Sequence, residues 1–115
     1  MTITEFREDY KKTIKEYPDI TGIIELDDSH KFIIETVTNF ERVGSKWVKV
    51  QEKESPISFI NYCNVVAPET IRFFRRLGGS ETVKKNYTKA GFLPVEIIST
   101  SPDRQSRTTR KFKFL

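Results

Sequence analysis

The chain has one cysteine, one histidine, one tryptophan and one methionine in 115 residues. A lone Cys63 has no intramolecular disulfide partner. His30 stands beside Asp27, Asp28 and Ser29. That cluster reads as a turn, because the three or four spaced ligands of a metal site are missing. Glycine is scarce too, and its placement matches no Walker loop, dinucleotide fingerprint or nucleophile elbow. Gly78-Gly79-Ser80 lacks the Lys-Thr that would follow in a phosphate loop, so it reads as a helix C-cap. The sequence therefore predicts a non-enzymatic protein with no metal and no cofactor. No run approaches the ~20 apolar residues of a membrane span, and Met1 to Asp9 mixes charges where a signal peptide is apolar. A cytoplasmic protein without a membrane partner is the expectation.

What is present is an aromatic supply and an uneven charge. Aromatics make up 12% of the chain, nine of them Phe, enough to build a core without disulfides. Residues 1–54 carry 12 acidic and 9 basic side chains, and residues 55–115 carry 4 and 11, which together give the net +4. An acidic N-terminal half and a basic C-terminal half within one domain of 1–115 suggest a surface that faces an anion.

Thr2 with Glu5 has the spacing of a capping box, and Phe6, Tyr10, Ile14 and Tyr17 form one helical stripe that Pro18 ends. Three strand-like runs follow: Ile20 to Leu26, Lys31 to Phe40, and a third led by Trp47, Val48 and Val50 after the Gly44-Ser45 turn. Short connections make an antiparallel three-stranded meander the expected assembly. Ser55-Pro56 reads as an N-cap with proline at the first helical position, and Ile57, Ile60 and Cys63 or Asn64 continue that helix, while the β-branched content of Ile57 to Val66 also fits a strand. Pro68 opens another helix with apolar positions Ile71, Phe74 and Leu77 and basic residues Arg72, Arg75 and Arg76 near its end.

Ser80 to Ala90 fits two patterns. As a helix, Ser80 is the N-cap and Val83, Tyr87 and Ala90 form a stripe; as a strand, Thr82 to Thr88 pairs with Phe92 to Thr100. The helical pattern is the better fit. Val95 to Thr100 and Arg107 to Leu115 then form a hairpin, with Phe112 and Phe114 on one side and Lys111 and Lys113 on the other. The expected class is α+β: an N-terminal helix, an antiparallel meander, central helices and a C-terminal β-hairpin. The helical reading of 80–90 makes the C-terminal half similar in element order to a winged helix-turn-helix.

These features predict binding to a polyanion, DNA or RNA, through Lys84, Lys85, Lys89, Arg104, Arg107, Arg110 and Lys111. Trp47, Tyr87 and Phe92 are aromatics able to stack on bases beside them. The alternative is a protein-interaction module, a homodimer or an inhibitory component, that uses exposed edge strands.

Overall fold

The computed structural model describes residues 1–18, 26, 29–88 and 91–115. Helix α1 (Ile3–Glu16) starts where expected: Thr2 Oγ1 accepts the Glu5 backbone N–H at 3.1 Å. Phe6 and Tyr10 are buried and Ile14 packs against the core, while Tyr17 is exposed.

Strands β1 (Ile33–Val43) and β2 (Lys46–Pro56) form a hairpin. Gly44 sits at φ +64°, the backbone that a two-residue turn with glycine first requires. The helix expected from Ser55 starts later. Ser55 and Pro56 end β2, and proline's missing N–H is tolerated there because β2 is an edge strand. Helix α2 (Phe59–Val66) instead takes Ser58 as its N-cap, with Ser58 Oγ accepting the Asn61 N–H at 3.3 Å. Helix α3 (Pro68–Arg76) follows, and Gly78 at φ +84° turns the chain out of it. Leu77, one of the apolar positions read from the sequence, is the C-cap of α3 and is exposed, as is Phe73 within the helix.

The remaining strands are β3 (Ser80–Thr88), β4 (Gly91–Thr100) and β5 (Ser106–Phe114). The helix expected over 80–90 is thus a strand as far as Thr88, and the winged-helix order falls with it. The physical reason is the partner. The apolar β4, with Leu93 and Ile97 buried, presents a free edge, and β3 pairs along it from Ser80↔Thr100 to Thr88↔Gly91. An edge strand needs few inward apolar residues, and among the described side chains of β3 Val83 packs on the core.

All five strands form one antiparallel sheet of order β2-β1-β5-β4-β3. The α+β class is as expected, with more sheet than the sequence suggested. The meander is corrected: β1 lies between β2 and β5. The expected strand from Ile20 falls outside the described residues except for Leu26.

The core gathers Phe6, Tyr10, Leu26, Ile33, Phe59, Tyr62, Cys63, Val66, Leu93, Ile97 and Phe112. Tyr62 occupies its centre, edge-on to Phe112 and Phe114, with its hydroxyl donating to the Pro94 carbonyl at 2.9 Å. α1 and α2 pack together over one end of one sheet face. The β1–β2 hairpin projects beyond them, and the molecule measures 46 × 27 × 21 Å. Among the described residues, no helix is long and apolar enough to cross a membrane.

Candidate functional site

Strand pairing sorts the side chains onto two faces, because directly opposed residues of antiparallel strands share a face. Ile33, Phe112 and Ile97 mark the face under the helices. The other face carries cross-sheet rows in which polar and charged residues outnumber the apolar Ile98 and Phe40. One row is Lys84, Glu96, Lys111, Thr36 and Glu54; the next is Thr82, Ile98, Thr109, Thr38 and Glu52; the third is Ser80, Thr100, Arg107, Phe40 and Lys49. Beyond the third row, Arg42 is paired with Trp47 at the tip of the hairpin.

At that end the sheet holds an open cleft of about 270 Å³ lined by Arg42, Ser45, Trp47, Ser80, Thr100, Arg104 and Arg107. Three arginines and three hydroxyl-bearing residues converge there from four strands and two turns, and its lining contains no carboxylate. Among the described residues, Arg42, Arg104 and Arg107 form no salt bridge. Their charges are available to an incoming anion.

Each arginine is placed by a local device. Arg107 Nε donates to Thr100 Oγ1 at 3.2 Å, and its guanidinium lies 4.4 Å from the centroid of the Trp47 ring. That stacking combines a cation–π attraction with a fixed orientation. Arg42 Nε donates to the Gly44 carbonyl at 3.1 Å, which ties it to the hairpin turn. Arg104 occupies the β4–β5 turn at φ +57°, a left-handed backbone uncommon for a side chain with Cβ. The turn around it is well tied. Arg104 N–H donates to the Ser101 carbonyl, and the exposed Asp103 carboxylate accepts the Ser101 hydroxyl and the Gln105 N–H. These hydrogen bonds, that from Ser101 foremost, hold the Asp103 carboxyl below its ordinary range.

The residues singled out from the sequence divide. Arg104 and Arg107 line the cleft. Lys111, exposed, shares the open face with Arg107 and lies four residues further along the central strand β5. Lys84 is on that face too, but its ammonium contacts Glu96 at 3.5 Å. Lys85 is exposed on β3 at a register shift. Arg110 is half-buried and opposes Val37 and Ile97 on the face under the helices, away from the cleft. Lys89 lies outside the described residues, as do the side chains of Tyr87 and Phe92. Sequence reasoning missed Arg42, Ser45, Ser80 and Thr100.

Other groups are structural. His30 lies edge-on to Phe114 and its carbonyl accepts from Arg7. Cys63 is buried, and burial, helped by the nearby Asp9 carboxylate, pushes its thiol up to about 12. It remains a neutral thiol at physiological pH. Arg72, Arg75 and Arg76 border a separate open depression on α3 with Glu69, which pairs with Arg72.

Comparison with known proteins finds no matching family model, curated protein or solved structure. The site's chemistry must be read from its geometry.

Proposed function

We propose that this protein is a non-enzymatic nucleic-acid-binding domain that holds the phosphate backbone of DNA or RNA on the open face of its sheet. The observation that carries this reading is the cleft in which Arg42, Arg104 and Arg107 converge with Ser45, Ser80 and Thr100 and no carboxylate. Guanidinium groups match phosphate oxygens in planar, two-toothed geometry, and hydroxyls add neutral donors. Lys111 and Lys113 extend the positive charge along β5. Neutralising phosphates with such side chains releases counterions and makes affinity depend steeply on salt.

The test is binding of a fluorescent mixed-sequence oligonucleotide, single-stranded and duplex, across salt from about 50 to 200 mM. The expected result is affinity that falls steeply with salt. Arg42→Ala, Arg104→Ala and Arg107→Ala are each expected to lower the salt slope by about one. No binding at the lowest salt overturns the proposal.

A protein-partner reading draws on β2, which among the described residues is an edge strand with Val48 and Val50 exposed. Two features count against pairing through that edge. Val50 has no opposite residue, because the register shifts between Gln51 and Lys49, and such a bulge twists an edge away from a partner. Lys46, Lys49 and Lys53 along the strand are the charged residues that natural edges use to block pairing.

A further inference from the structure

The cleft contains an aromatic surface as well as charge, and the two are joined. Trp47 is half-buried at the hairpin tip, outside the core, and one side of its ring is covered by the Arg107 guanidinium. Phe40, half-buried on the same face, is directly opposite Arg107 in the β1–β5 register. Resting on the nucleic-acid reading above, we infer that the ligand is single-stranded, with an unpaired base stacked on the Trp47–Arg107 platform and the adjoining phosphates held by Arg42 and Arg104.

Three observations point to a single strand. A duplex keeps its bases stacked inside and offers only groove edges and backbone to a surface, so the indole would have no base to meet. The open cleft of about 270 Å³ lies just below the range usual for ligand pockets, room for a single nucleotide-sized group at most. Finally, the positive charge along β5 is set apart from that on the outer strands. Arg107, Lys111 and Lys113 lie at i, i+4 and i+6 on this central strand, whereas Lys84 on β3 is paired with Glu96 on β4 and Lys49 with Glu52 on β2, with Glu54 also on β2. At about 3.3 Å per residue, Arg107 to Lys113 spans roughly 20 Å. A flexible backbone can follow that line, whereas a rigid duplex resting on the face would also cover the flanking carboxylates.

The groups around Trp47 are arginines and hydroxyls. They offer stacking and phosphate contacts rather than an amide pair to read a base edge, so binding is expected to tolerate any base sequence.

Trp47 is the only tryptophan in the chain, so emission excited selectively at the long-wavelength edge, where the four tyrosines do not absorb, reports on this platform. The protein is titrated with short oligo(dT), oligo(U), an abasic sugar–phosphate strand of equal length and a matching duplex. The expected result is a change in Trp47 emission with oligo(dT), oligo(U) or both, and affinity for the abasic strand lower by about 5- to 150-fold, the loss expected for one stacked base. The two base-bearing strands separate DNA from RNA as the source. Trp47→Leu is expected to remove the preference for base-bearing strands while leaving a salt-dependent phosphate contribution, and Trp47→Phe to keep part of it. If Trp47→Leu does not fold, the abasic comparison on the native chain decides. Equal affinity for base-bearing and abasic strands, or a duplex bound as tightly as the single strand, overturns this inference and leaves the phosphate-binding reading standing. Failure of every strand to bind overturns both.

Discussion

The carboxylate of Asp9, in the middle of α1, accepts the backbone N–H of Phe59 at 2.7 Å and that of Ile60 at 3.3 Å. Helix α2 is therefore capped by two side chains, its own Ser58 and one fifty positions earlier. The first N–H groups of a helix have no partner inside it, and an acceptor supplied from another element ties the two together. Asp9→Ala is expected to cost about 1–2 kcal/mol, and Asp9→Asn less, since its amide oxygen still accepts. Urea unfolding checks this: the midpoint should fall while the slope with denaturant stays constant. An unchanged midpoint in Asp9→Ala would show the cap to be dispensable.

Gly79 joins α3 to β3, and a Cβ there would lie 2.6 Å or less from two atoms of the Phe74 ring and 2.9 Å from the Thr100 carbonyl oxygen. The ring can shift; the strand carbonyl cannot without moving β4. Gly79→Ala is expected to destabilise by about 1–3 kcal/mol. It should also weaken oligonucleotide binding, because Ser80 and Thr100 of the cleft flank the contact. Thermal melting and the same titration read both effects, and a variant of native stability would refute the clash.

Burial raises the Cys63 thiol to about 12 from the model-compound value of 9.0, and raises the Tyr62 phenol from 10.0 for the same reason. Between the unfolded and folded values the unfolded chain has lost protons that the folded chain keeps. Stability must then fall as pH rises. The loss is expected to begin above about pH 9, from Cys63 first. Cys63→Ala should flatten the decline between pH 9 and the phenol range, as followed by urea midpoints against pH. In the native protein at pH 8, a thiol reagent should react with Cys63 only after denaturant is added.

Arg107 and Arg110 are three residues apart on β5 and face opposite sides of the sheet. Arg107→Ala is expected to weaken oligonucleotide binding and lower its salt slope by about one. Arg110→Ala should leave both unchanged, although it removes a half-buried side chain packed between neighbouring strands. Equal losses in the two variants would mean that charge alone, rather than the geometry of the cleft, governs binding.

Part of this site was legible in the sequence. Alternation along Arg107 to Leu115 placed Phe112 and Lys111 on opposite sides, and Arg104 fell in the connection between the two strands of the expected hairpin. Arg42 was not legible, since it lies in the half of the chain with net negative charge, and the partners that gather around it from β3, β4 and β5 are far away in sequence. Arg110 was misplaced because a basic residue in a basic segment was counted with its neighbours, although a one-residue step along a strand reverses the face. The helical reading of 80–90 failed for a related reason: the spacing of Val83 and Tyr87 fits a helix, and only the free edge of β4 makes a strand the better solution.

By itself the sequence determined the features that depend on near neighbours: the capped first helix with its Phe6 and Tyr10 stripe, the Gly44 turn, the proline start of α3 and the alternation of β5. Those are set by backbone preference and by the periods 3.6 and 2 of hydrophobic patterning. The tertiary structure decided what depends on distant partners: the order β2-β1-β5-β4-β3, the strand at 80–88, the capping of α2 by Asp9, and the meeting of Arg42, Trp47, Arg104 and Arg107 in one cleft. Strand register is a choice among long-range pairings made by the whole core at once, and no short window of residues carries it.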